Sequence, residues 1–66
     1  MTDTDVLMAV IRALQERHPE KRSPTLQEIA KALGITRQAA HKRVQVAERR
    51  GFLEIMPRKH RGIILL

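Results

Sequence analysis

Thr25-Leu26-Gln27-Glu28-Ile29-Ala30-Lys31-Ala32-Leu33-Gly34-Ile35-Thr36 is the stretch on which the fold turns. A threonine followed three residues later by a glutamate is a capping box, in which each side chain satisfies an orphan backbone N–H of a new helix. Leu26, Ile29, Ala30 and Leu33 then recur at the three- and four-residue spacing of one buried stripe. Gly34 can take the left-handed conformation that closes a helix without steric cost. Ile35 fills the turn, Thr36 caps a further helix reaching Arg50, and Gly51 is its stop. Small Ala30 admits the second helix closely, Gly34 allows the reversal, and Ile35 plugs the wedge between them. The spacing predicts a helix-turn-helix; the competing reading is an ordinary helical hairpin inside a bundle.

Working toward the N-terminus, Leu7, Val10, Ile11 and Leu14 predict a helix from about Thr4 to Arg17, capped by Thr2 or Thr4 and stopped by Pro19. Glu20-Lys21-Arg22-Ser23-Pro24 is its polar connector to the helix-turn-helix. Working toward the C-terminus, the period changes to that of extended chain. Phe52-Leu53-Glu54-Ile55-Met56 and Ile63-Ile64-Leu65-Leu66 read as two strands around the loop Pro57-Arg58-Lys59-His60-Arg61-Gly62. Two strands are not stable alone and must pack an apolar face on the helices. The expected architecture is mainly α with a small β-hairpin: a winged helix-turn-helix over residues 1–66, three helices plus a C-terminal two-stranded wing.

The chain has 66 residues, 13 Lys and Arg against 7 Asp and Glu, and no cysteine. A chain this short buries only about 60% of its unfolded surface and holds a single core. Disulfides, Cys-based zinc sites and thiol chemistry are excluded, and no apolar run approaches the ~18 residues that cross a bilayer. The opening Met1-Thr2-Asp3-Thr4-Asp5 is acidic where a signal peptide is basic, so the expected location is the cytoplasm, at the nucleoid. Residues 1–36 balance Arg12, Arg17, Lys21, Arg22 and Lys31 against Asp3, Asp5, Glu16, Glu20 and Glu28. The whole formal charge of +6 therefore lies in residues 37–66. A field so concentrated attracts polyanions, although a basic surface also serves plain solubility.

The third helix shows where that charge points. At about 100° per residue, Ala40, Val44 and Ala47 share one side, while Gln38, His41, Lys42, Gln45 and Arg49 share the opposite arc. Glutamine bonds adenine bidentately, lysine and arginine take guanine or phosphate, and the second helix of a helix-turn-helix is the one laid in the major groove. Arg37, Arg49, Arg58, Lys59 and Arg61 are the expected phosphate contacts, with His60 beside them in the wing. The wing is expected on the DNA backbone or in the minor groove, where arginine is favoured.

Pro24-Thr25, Glu28-Ile29-Ala30, Leu33-Gly34, Ala39-Ala40, Gly51, Glu54-Ile55 and the closing Arg61-Gly62-Ile63-x-Leu65-Leu66 resemble the N-terminal DNA-binding domain of LexA-type SOS repressors over nearly the whole chain. Pro-Thr-x-x-Glu-Ile-Ala and Arg-Gly-Ile-x-Leu-Leu are the most specific parts. The resemblance implies a repressor that binds a palindromic operator as a dimer and reads bases with the start of its third helix, here Gln38, Ala39, His41 and Lys42. Three departures stand out. The turn Ile35-Thr36-Arg37-Gln38 looks one residue shorter than in the family, so operator sequence is not inherited. His41-Lys42 replaces an acidic pair, which should change base preference and strengthen phosphate attraction. The C-terminal domain that carries the family's serine-lysine self-cleavage site and most of its dimer interface has no counterpart in these residues; if they were the whole protein, self-cleavage would be impossible and dimerisation would have to come from elsewhere.

Alternation leaves Ile64 and Leu66 on the face where polar residues are expected, either partly covered by the first helix or in contact with a second copy or a partner. His18, His41 and His60 are scattered. No close His or carboxylate pair, glycine-rich phosphate loop or nucleophile motif occurs, so neither an enzyme nor a cofactor or metal site is expected. The leading reading is a sequence-specific regulator bound to double-stranded DNA. The alternative is a protein-interaction adaptor whose basic face holds an acidic partner.

Overall fold

Each helix begins at a threonine. In the computed structural model, which describes residues 2–56 and 61–66, α1 spans Asp3–Arg17, α2 Leu26–Leu33 and α3 Arg37–Arg49, with caps Thr2, Thr25 and Thr36. Of the two candidates for the first cap, Thr2 is the one used. Its hydroxyl accepts the Asp5 N–H at 3.2 Å and its own N–H donates to the Asp5 carboxylate at 3.2 Å, a second capping box that starts α1 one residue earlier than Thr4. Thr4 is instead buried inside α1, where its hydroxyl accepts a 3.1 Å bond from Arg50 Nη1 across 46 residues of sequence. His18 ends α1 in extended conformation, as the residue before a proline must.

The two glycine stops use one device. Gly34 (φ 69°) follows α2, its N–H donating to Lys31 O and that of Ile35 to Ala30 O. Gly51 (φ 83°) follows α3, with the N–H groups of Gly51 and Phe52 donating to Glu48 O and Ala47 O. These are paired Schellman bonds, which need a left-handed residue at the turn. Lys21 also holds positive φ (57°) and is the one non-glycine to do so among the described residues. Its N–H bonds His18 O and its ammonium bonds Glu16 O, which fixes the connector between α1 and α2.

Two short antiparallel strands follow, β1 (Leu53–Ile55) and β2 (Ile63–Leu65), with Leu53 opposite Leu65 and Ile55 opposite Ile63. The ladder is shorter than the apolar runs at 52–56 and 63–66, but one more bond on each side, Met56 N–H to Gly62 O and Leu66 N–H to Phe52 O, continues it. Leu7, Ile11, Ile29, Ala40, Val44, Ala47 and Leu53 are all at most 1% exposed and make one core shared by three helices and the hairpin. Alanines at 30, 40 and 47 supply the close helix approach that large side chains would prevent. The architecture is a winged helix-turn-helix, mainly helical with one antiparallel hairpin. The hairpin's outer face leaves Phe52 and Ile64 each 45% and Leu66 71% exposed, so α1 does not close over it. No helix among the described residues is long and apolar enough to cross a membrane.

Candidate nucleic-acid interface

The core side of α3 is apolar and small, and that decides what its other side presents. With Ala40, Val44 and Ala47 buried, Arg37, Gln38, His41, Lys42, Gln45 and Arg49 all face solvent, while Ala39 and Arg43 are half-buried at the flanks. The three ion pairs among the described residues are Lys21–Glu16, Arg22–Glu20 and Arg61–Glu28. No base of α3 is neutralised by any of them, so its field is directed at solvent. Beside the arc, a groove of about 350 Å³ opens between the start of α1 and Lys42, Arg43 and Arg50.

Glu48 is the one acid of α3, and sequence periodicity left its role unread. Its Oε2 accepts the Ile55 N–H of β1 at 3.0 Å. That bond satisfies a strand-edge donor and engages the carboxylate at the hairpin. The start of α3 is positive for a second reason. Thr36 Oγ1 accepts the Ala39 N–H at 3.1 Å, but Ala39 has no carboxylate to complete the box, and the first turn contains no acid. A helix N-terminus carries roughly half a positive charge, here joined by Arg37 and uncompensated.

At the start of α2 the charge is closed instead. The Glu28 carboxylate accepts the Thr25 N–H at 2.9 Å, while Thr25 Oγ1 accepts the Glu28 N–H at 3.1 Å. Glu28 Oε1 also takes a 2.7 Å bond from Arg61 Nη1, which further donates to Ser23 O at 3.0 Å. Ser23 Oγ returns a 2.7 Å bond to Arg61 O. The Thr25 backbone N–H, with a smaller contribution from the Arg61 charge, holds the Glu28 carboxyl below its ordinary value.

Arg61, expected as one of the wing's phosphate contacts, instead has a half-buried guanidinium bonded within the chain to Glu28 and Ser23. Arg58, Lys59 and His60 lie outside the described residues. The structure brings Arg37, Gln38, His41, Lys42, Gln45 and Arg49 together on one exposed surface and sends Arg61 to the start of α2. The signal that could have found the clamp was in the sequence, since the two most distinctive segments, Pro24-Thr25-x-x-Glu28 and Arg61-Gly62-Ile63, are the ones it joins.

Comparison with known proteins agrees with this geometry. The sequence profile described as "MarR family" matches residues 2–62. The chain belongs to the MarR family. With it come winged helix-turn-helix transcription regulators that bind DNA. The likeness to LexA-type repressors read from its motifs is shown as well. The chain is 45% identical over 56 residues to LexA repressor 1 of Xanthomonas oryzae pv. oryzae, covering 83% of this chain and 28% of that protein. It is 42% identical over 57 residues to the LexA repressor of Magnetococcus marinus, covering 86% and 24% respectively. The chain thus spans less than a third of the length of the curated relatives it matches.

Proposed function

We propose that residues 1–66 form the sequence-specific, double-stranded-DNA-binding module of a LexA-like transcriptional repressor, with α3 seated in the major groove. The observation that carries this reading is the acid-free exposed arc Gln38, His41, Lys42, Gln45 and Arg49 on the second helix of a helix-turn-helix. Gln38, His41, Lys42 and Gln45 read base edges, with half-buried Ala39 giving apolar contact at the start of the helix. Arg37, at the uncompensated helix start, and Arg49 hold phosphates, and the wing's Arg58, Lys59 and His60 add to them along the backbone or minor groove. The operator is an inverted repeat occupied by two copies, as repressors of this kind pair half-sites about one helical turn apart.

Selection of binding sites from random duplex DNA tests the reading. An inverted repeat is expected, with Gln38→Ala relaxing preference at one position in each half-site. Arg49→Ala should weaken all sequences alike and lower the slope of log affinity against log salt by about 0.9. A pool that never departs from random sequence would refute it.

A further inference from the structure

The clamp between Arg61, Glu28 and Ser23 is larger than a cap requires. The Thr25–Glu28 box is complete without Arg61, since both of its reciprocal bonds are made within four residues. What Arg61 adds is a long-range tie. Three bonds of 2.7, 2.7 and 3.0 Å join residues 33 and 38 apart in sequence, two running out from the guanidinium and one returning to the Arg61 carbonyl. They connect the returning leg of the hairpin to the residues that open α2. The other leg is tied independently, Ile55 through Glu48 to α3 and Met56 through Gly62 to its neighbour strand. Both feet of the loop are thereby referenced to the two helices of the helix-turn-helix, one foot to each. Arg61 is half-buried, and its planar fork already has Glu28 Oε1 and Ser23 O as acceptors.

We propose that Arg61 is a positioning residue for DNA binding: through Glu28 and Ser23 it fixes the returning leg of the hairpin against the start of α2, and DNA affinity depends on that tie rather than on the Arg61 charge itself. The proposal rests on the DNA-binding reading above, and it assigns to Arg61 a role distinct from phosphate contact. The two roles have opposite signatures at Glu28. Were Arg61 itself a phosphate ligand, removing the neighbouring carboxylate would free its charge and tighten DNA binding. If Arg61 acts by position, removing Glu28 weakens binding although the protein has become more positive.

The test measures affinity for the selected site over a salt series for wild type, Arg58→Ala, Arg61→Gln, Glu28→Ala and Ser23→Ala. Circular dichroism melts fix a temperature at which every variant is folded. Ser23→Ala changes no charge and leaves the capping box whole, so it remains informative if the larger changes unfold. The expected result is about ten-fold weaker binding for Arg61→Gln and Glu28→Ala and about three-fold for Ser23→Ala, with salt slopes lowered by one to two units as wing contacts are lost at about 0.9 per phosphate. Tighter binding by Glu28→Ala would overturn the proposal. So would wild-type affinity and slope in Ser23→Ala and Glu28→Ala beside an Arg61→Gln slope lowered by a single contact, the mark of direct contact. A melt shifted downward with affinity and slope unchanged would also overturn it, leaving a stabilising clamp only. Failure of the underlying DNA reading is visible separately, as a wild type with no preferred site and an Arg58→Ala variant with the same slope.

Discussion

The starts of α2 and α3, 11 residues apart in the chain, are finished in opposite ways. At α2 every device for quieting a helix terminus is in use: a threonine cap, a reciprocal glutamate, and an arginine that ties the glutamate to a distant part of the chain. At α3 the threonine is present and the rest is missing, with alanine where the glutamate would sit and arginine at the first position. Local stability would favour the same finish at both ends. The difference teaches that α2 is a fastening point, while α3 keeps an uncompensated positive end, as the proposed DNA-reading surface requires.

That contrast can be broken from either side. Thr25→Ala should cost about 2 kcal/mol, at the upper end for a cap because the hydroxyl is buried beside Glu28, whereas exposed Thr36→Ala should cost about half that. Urea unfolding of the pair checks it; equal losses would remove the distinction between the two starts. Ala39→Glu completes the box at α3. It should raise stability by about 0.5 kcal/mol while weakening DNA affinity about ten-fold, because the carboxylate lies where phosphate is proposed to bind. A variant gaining stability with affinity intact would show that the open end has no part in binding.

The smallest effect is one of pH. Backbone N–H groups of the cap residues, Thr25 first for Glu28 and Thr2 first for Asp5, hold both carboxyls below their ordinary values of 4.5 and 3.8. A depressed acid contributes stability that is complete above its ordinary value and is lost as pH falls through the lower folded one. Melting temperature should therefore drop below about pH 4.5, and Glu28→Gln should flatten the curve. Thr36→Ala should leave its shape unchanged, since α3 has no carboxylate in its first turn. An acid limb unaffected by Glu28→Gln would assign it to other groups.

The parts of this molecule legible in its sequence are those governed by local chemistry. Thr25, Glu28 and Gly34 announce where α2 begins and ends, because caps and left-handed turns depend on residues within four positions. The face of α3 was legible because a single helical period separates Ala40, Val44 and Ala47 from Gln38, His41 and Gln45. The strand pairing followed from alternation, Leu53 and Ile63 inward with Ile64 outward. What sequence reasoning missed is long-range and polar. Arg61 looked like one more wing cation and Thr4 like an alternative cap, the role of Glu48 went unread, and each is defined by a partner between 7 and 46 residues away. Neither periodicity nor charge counting encodes which acceptor an arginine will meet, since that depends on how the hairpin folds back.

Glu48 has one more consequence. It is the sole anion on the helix proposed to face a polyanion, and its carboxylate accepts the Ile55 N–H of β1. When the hairpin forms, one oxygen of that repelling group is engaged by a backbone donor. On the proposed reading, fraying the strands should accordingly weaken DNA affinity more steeply than a tally of charges predicts.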